Sequence, residues 1–285
     1  MCSPCVITEV TLRQIPAISG IATRSHGRQI AMLIEDMRIV VKLGTGLIAP
    51  GGRIDANLLR SLVDQFDLSK HEYLIVSSGA IASGMACLNL PGRPSEVPLM
   101  QACAAIGQGQ LMHTYQRLFF GKKPVAQLLL SSDDFTSPLR YRNLQNTLRE
   151  LLRLGAVPVI NENDSVSVRE LVGAFGDNDE LSALLAAAVE ADWLLLLTDV
   201  DGFYAQTEKG RKIMRTVAAI TPELEAMCTG TSNLGRGGML SKLRAARKAT
   251  QAGVHVAVIN GRQPNILARA VSRRSGTYFP PAKKH

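Results

Sequence analysis

A chain of 285 residues, 46% hydrophobic and 20% charged, has the make-up of a globular protein with a full core, in one large α/β domain or two small ones. No apolar run approaches the ~20 residues of a membrane span, and the 13 Pro and 24 Gly are scattered, without a low-complexity linker. The net charge of +8 is unevenly placed: from Arg236 to His285 there are eleven Lys or Arg and no Asp or Glu. That segment is either a solvated basic face or a surface that meets an anion. Polyphosphate is the simpler anion, because no RNA-reading motif accompanies the charge. Five widely spaced cysteines do not form a disulfide framework, and Cys2-x-x-Cys5 lacks the second pair or histidine that a zinc site needs. A reducing, cytoplasmic setting is expected, with no metal ligand set.

Residues 1–36 show no sustained periodicity and no secretory core, and the first 34 hold Glu9 as their one acid. They are expected as an N-terminal extension, whether disordered, targeting, or upstream of a functional start at Met37. A folded domain is expected over 37–275, followed by a basic tail over 276–285. Within the domain, Arg38 to Leu43 reads as a buried strand broken by Gly44-Thr45-Gly46. Tyr73 to Val76 is a second strand, running through Ser77-Ser78-Gly79 into a helix of small residues. Val125 to Leu130 is a third, and Leu144, Leu148, Leu151 and Leu152 mark a helix stopped by Gly155. Val157 to Ile160, Trp193 to Leu197 and Val254 to Ile259 complete the strands, with helices over 181–189 and 240–252 between them. Continuously apolar strands separated by helices predict a parallel sheet covered on both faces, with ligands at the carboxyl ends of its strands.

Every polar or glycine-rich cluster falls just after a strand. Lys42 is costly inside a buried strand unless its ammonium reaches an anion or the strand's open end. Ser78 and Gly79 form a turn whose following helix could offer backbone donors, or an ordinary strand-to-helix turn. Asn161-Glu162-Asn163-Asp164 and Gly176-Asp177-Asn178-Asp179 are rich in Asx residues. Asp177 with Glu180 matches a capping pattern, which explains Asn178 and Asp179 less well. Such loops could bind a polar substrate, orient lysines, or hold a metal through its waters. Thr198-Asp199 leads into Asp201-Gly202, a turn signal. Gly235-Arg236-Gly237-Gly238-Met239-Leu240-Ser241-Lys242 is a glycine-rich loop opening a basic helix, a recurring phosphate cradle. The P-loop, the dinucleotide fingerprint and the serine-hydrolase elbow are all missing from the sequence.

In order, VVKLGTG, SSGAIASG, INEND, GDNDELSA, LLTDVDGFY and GRGGMLSK resemble the signature set of the amino acid kinase family, over about Met37 to Ala270. INEND followed closely by GDND resembles the branch that phosphorylates the γ-carboxylate of L-glutamate, the first step of proline biosynthesis. The resemblance implies a three-layer αβα sandwich around a mostly parallel sheet. It also implies that Lys42 and Lys242 contact the transferred phosphate and that Asp179 orients them, with Asp177 nearby. Ser78, Gly79, Asp164 and Asn178 would bind glutamate. Lys42, Gly44, Thr198, Asp199 and the run Arg236, Gly237, Gly238, Met239, Leu240, Ser241 and Lys242 would bind ATP. Mg²⁺, a homo-oligomer (dimer or tetramer) and feedback inhibition by proline are further implications. The chain departs from the pattern at Gly46, where Ser is usual, at Arg236, at Ser241 and in the length between Asp164 and Gly176. It is expected as a short form, without the C-terminal RNA-binding-type domain of many bacterial relatives. The alternatives are a family member acting on UMP, carbamate, aspartate or an isoprenoid phosphate, and a non-catalytic ATP-sensing or RNA-binding protein.

Overall fold

The computed structural model describes residues 36–167, 178–207, 210–226, 228 and 238–282. Six parallel strands form the centre: β1 (Arg38–Leu43), β2 (Glu72–Ser77), β3 (Val125–Leu130), β4 (Val157–Glu162), β5 (Trp193–Thr198) and β8 (His255–Asn260). A short seventh strand, β9 (Thr277–Phe279), runs antiparallel on β8, and the order across the sheet is β3-β4-β2-β1-β5-β8-β9. Between β5 and β8, β6 (Tyr204–Thr207) and β7 (Gly210–Ile213) make a separate antiparallel pair. The expected strands are therefore present, each within two residues of its expected bounds.

Strands β1, β2, β4, β5 and β8 are almost wholly buried, because β-branched and leucine side chains point to both faces and both faces are covered. Ten α-helices are found among the described residues. These are α1 (Thr45–Ile48), α2 (Ala56–Val63), α3 (Ala80–Cys87), α4 (Val97–Leu118), α5 (Asp133–Thr136), α6 (Pro138–Arg153), α7 (Asn178–Ala188), α8 (Pro222–Ala226), α9 (Met239–Gln251) and α10 (Ile266–Val271), with a 3₁₀ turn at Pro50–Gly52. On one face Val40, Val76, Ile160, Leu196 and Val258 pack with Leu148 of α6, Leu185 of α7 and Leu243 of α9. Strand alternation sends Ile39, Val41, Ile75 and Leu195 to the other face. Helix α6 ends where expected, with Gly155 at φ +69°.

Two glycines let α3 and α4 clasp. A methyl group on Gly84 would fall 1.8 Å from the carbonyl oxygen of Cys103, and one on Gly107 would fall 1.9 Å from that of Ala80. Backbone on backbone at that range admits no side chain at either position. The clasp fixes the long helix α4 against the turn that follows β2.

Residues 276–285, expected as a basic tail, instead enter the sheet as far as they are described. Gly276, at φ +74°, is packed so tightly that a Cβ there would lie 2.2 Å from Ile259. The chain then pairs Thr277, Tyr278 and Phe279 with β8. Tyr278 stacks on His255, 5.8 Å between ring centres, bonds its Nδ1 at 2.7 Å and lies under the Arg273 guanidinium. Farther on, the Ala282 amide donates to the Thr250 carbonyl at 2.9 Å. Three residues ahead of two prolines are too short a run to register as a strand by periodicity; edge pairing and burial supply the stability instead. The Asp201-Gly202 turn signal marks the entry to β6 rather than a hairpin tip, with the Phe203 amide bonded to Thr277 Oγ1 at 2.8 Å. Because Phe279 is 1% exposed, Phe279→Ala should destabilise the fold by about 3–5 kcal/mol in urea unfolding. A loss below ~1 kcal/mol would return β9 to the status of a tail.

Candidate active site

The strand register decides which side chains meet. Lys42 on β1 is level with Val76 of β2 and Leu196 of β5, and Thr198 of β5 is level with Asn260 of β8. Lys42, Ser77-Ser78, Asn161-Glu162, Thr198-Asp199 and Asn260 therefore all lie at the carboxyl edge of one sheet, where the chain reverses direction across it. Lys42 shares its face with Val40, so its side chain extends beneath α7 and α9.

Asp179, in the first turn of α7, is fully buried and carries an ion pair on each oxygen. Lys42 Nζ bonds Oδ1, and Lys242 Nζ bonds Oδ2 at 3.1 Å. Burial by itself would push the Asp179 carboxyl up; the two ammonium groups outweigh it and hold the group down at about 2, against an ordinary 3.8. One carboxylate thus sets the spacing of two cations that come from strands and helices 200 residues apart in sequence. The ammonium of Lys42 lies close beneath Gly44, 3.8 Å from where a Cβ there would stand. The Gly44 amide in turn donates to the Leu197 carbonyl at 3.3 Å, tying the end of β1 to the end of β5.

Beside this ion cluster is a buried amide chain. Asn178 Nδ2 donates to Ser78 Oγ at 3.1 Å and to Asn161 Oδ1 at 3.0 Å, and Asn161 Nδ2 donates to Gln108 Oε1 at 3.0 Å. Gly79 makes the turn possible: at φ +102° it precedes α3 in a left-handed conformation that disfavours other residues. Asp164 is buried two residues past β4, in a turn where the Asn163 amide donates to the Leu130 carbonyl at 2.8 Å. Glu162 is buried as well and accepts from Ser167 Oγ at 2.5 Å.

On the β5 side, Thr198 Oγ1 donates to Asp199 Oδ1 at 3.1 Å, and Asp199 is exposed at the sheet edge. The glycine at position 46 leaves room for that carboxylate, since a Cβ there would stand 3.1 Å from Asp199 Oδ2. Gly238 precedes α9 in extended conformation and accepts from the Ser241 amide at 3.1 Å; Met239, Leu240 and Ser241 are half-buried in the first turn. Asp177, Arg236 and Gly237 lie outside the described residues.

The structure therefore gathers Lys42, Asp179 and Lys242 in one cluster and Ser78 and Asn178 in another, with Asn178 and Asp179 joining the two as chain neighbours. Gln108 is an addition that the sequence did not single out, and Asp201, read there as part of a turn, has a second task. Asp201 Oδ1 accepts from Asn260 Nδ2 and Gln263 Nε2, each at 2.9 Å, and so pins the loop after β5 to the end of β8. For Gln108, the available signal was a glutamine set between two glycines in Gly107-Gln108-Gly109, a place where a helix is closely approached. Among the described residues no three carboxylate, histidine or cysteine side chains gather to hold a metal.

Residues 37–260 match the amino acid kinase family. The chain is 44% identical over 264 residues to the glutamate 5-kinase of Geobacter sulfurreducens, covering 89% of this chain and 70% of that protein. It is 44% identical to the enzyme of the same name from Myxococcus xanthus, covering 86% of this chain and 67% of the other. Among solved structures it is similar to Giardia carbamate kinase, with a TM-score of 0.58 and 16% identity over 87% of this chain and 99% of that one. An isopentenyl phosphate kinase gives 0.58 and 18% identity over 85% and 99%. These likenesses carry the three-layer fold. With the sequence relatives they establish that the chain belongs to the amino acid kinase family, among its glutamate 5-kinases.

Proposed function

We propose that the chain transfers the γ-phosphoryl group of ATP to the γ-carboxylate of L-glutamate, giving L-glutamyl 5-phosphate and ADP at the start of proline biosynthesis. The observation that carries this reading is the single buried carboxylate holding two lysine ammonium groups side by side at the carboxyl edge of the sheet. The acceptor is already ionised at neutral pH, so no base has to remove a proton. Asp179, held down at about 2, is itself unsuited to that task. The difficulty lies in bringing one anion against another. Lys42 and Lys242 offset the negative charge that spreads over the equatorial oxygens as the bond to the carboxylate forms and the bond to ADP breaks.

Ser78, Gly79, Asn178 and Asp164 are read as the glutamate side. Thr198, Asp199 and the stretch through Arg236, Gly237, Gly238, Met239, Leu240 and Ser241 are read as the ATP side. Among the described residues the side chains bonded to Asn178 are neutral, Ser78 and Asn161, which suits an acceptor with an amino group better than UMP or an isoprenoid phosphate. Mg²⁺ fits as a companion of the ATP phosphates rather than in a protein cage, because Asp179 is committed to lysines and no cluster among the described residues offers three ligands. Homo-oligomer formation, proline feedback and a cytoplasmic location complete the reading. Among the described residues no helix is long and apolar enough to cross a membrane.

Incubation with ATP, Mg²⁺ and hydroxylamine should give a hydroxamate with L-glutamate and little with aspartate, carbamate or N-acetylglutamate. No ATP turnover on UMP or isopentenyl phosphate is expected. Turnover confined to one of those acceptors would overturn the assignment, and proline added to the same assay tests feedback. Lys42→Ala and Lys242→Ala should each lower kcat at least ~100-fold, and a near-normal kcat would remove that lysine from the mechanism.

The depressed Asp179 carboxyl contributes stability above the ordinary carboxylate range, and this contribution fades as pH falls from ~5 toward 2, when the folded form finally takes up the proton. The stability gap between wild type and Asp179→Asn should therefore shrink over that interval in urea titrations. A gap independent of pH would show that the two ion pairs do not stabilise the charged form.

A further inference from the structure

The amide chain beside the lysines has a direction, and a backbone group sets it. The Glu162 amide can only donate, and it donates at 2.9 Å to the Asn161 side chain, so the atom it meets is the oxygen. Asn161 must then turn its Nδ2 toward Gln108, which supplies Oε1 as acceptor at 3.0 Å. On its other side Asn161 Oδ1 meets Asn178 at 3.0 Å, which requires Asn178 to present Nδ2 there. The second hydrogen of that Nδ2 points to Ser78 Oγ, 3.1 Å away.

Both donors of Asn178 are thereby used. Its Oδ1 is buried and has no hydrogen-bond partner among the described residues. A flipped Asn178 would set two carbonyl oxygens against each other in a buried site, so the orientation follows from the Glu162 amide through two side chains. Gln108, Asn161 and Asn178 are each less than a tenth exposed, which keeps water from relieving a misalignment.

We propose that Gln108 is a positioning residue for acceptor selection. Through Asn161 it holds Asn178 with its carbonyl oxygen turned to the α-ammonium group of the amino acid substrate. The site thereby favours acceptors that carry that group over plain dicarboxylates. This inference rests on the glutamate kinase reading and gives that site its discriminating contact. Gln108 acts from α4, clasped to α3 by the glycine contacts at Gly84 and Gly107, so its place is fixed by backbone packing.

The test compares L-glutamate with glutarate, which keeps the reacting carboxylate and lacks the ammonium. Wild type, Gln108→Leu and Gln108→Glu are assayed in the full chain with Mg-ATP, alongside thermal unfolding. Gln108→Leu should raise KM for glutamate about 10-fold or more, leave KM for ATP unchanged, and lower the glutamate-over-glutarate preference by a similar factor. Gln108→Glu keeps an acceptor oxygen for Asn161 Nδ2 and should retain the preference within about 3-fold. If Gln108→Leu does not fold, Gln108→Met, of similar length, is read the same way. A folded apolar variant with an unchanged preference overturns the positioning role, whatever its overall rate. Loss of preference in Gln108→Glu equal to that in the apolar variant also overturns it. A wild type inactive on glutamate sinks the underlying reading and this inference together; an active wild type with an indifferent variant sinks the inference alone.

Discussion

A carboxylate with a cation on each oxygen is the constraint around which the rest of the site is arranged. Lysine ammonium groups are compact, strongly hydrated and carried on flexible stems, so two of them do not stay side by side in a protein interior unaided. Asp179 provides the charge that keeps them there. Its own position comes from the first turn of α7, which the packing of Leu181 and Leu185 on the sheet face holds in place. The cost of burying Asp179 is offset by the partners it gathers, and breaking either pair leaves charge stranded in the core.

The second constraint is backbone register. Parallel pairing with matched strand ends brings five polar clusters to one edge, so the site needs no long reach from any of them. Lys42 illustrates this: it sits one residue before the end of a strand that is otherwise apolar after Arg38, and from there its buried ammonium reaches Asp179. The amide chain then divides labour with the ion cluster. Charge near Asp179 suits a phosphoryl group, and the neutral run from Gln108 to Ser78 suits a polar acceptor.

What the sequence revealed, and what it hid, follows from how far each feature depends on neighbours in the chain. Strands such as Trp193–Thr198 declare themselves because a sheet buried on both faces demands an unbroken apolar run. Lys42 and Ser78 could be found because polar residues at the carboxyl end of such a strand have few structural reasons to be there, and Asn178, Asp179 and Lys242 because they open helices in Asx- or glycine-rich runs that the family signature shares. Helix α4 was overlooked since its glycines, glutamines and short apolar groups form no clean stripe; the helix meets α3 through backbone contact. Gln108 went unseen with it, because its meaning comes from Asn161, 53 positions away. Strand β9 was missed for brevity. Asp177, Arg236 and Gly237 were expected at the site and fall outside the described residues.

The central place of β1 has a consequence for how the chain acquires its shape. Its two neighbours are drawn from very different distances along the sequence, with Ile39 beside Tyr73 on one side and beside Trp193 on the other. Until β5 is available, one edge of β1 and the acid-stabilised amide of Arg38, which donates to Asp192 at 2.7 Å, remain without their final companions. Closing a loop of that length before any reward from pairing makes the middle of the sheet a late event. The β1–β2 half, with its α3–α4 clasp, is then the natural place for ordering to begin. The ion cluster would assemble late, since Lys42 on β1 must await Asp179 and Lys242, which come from beyond β4.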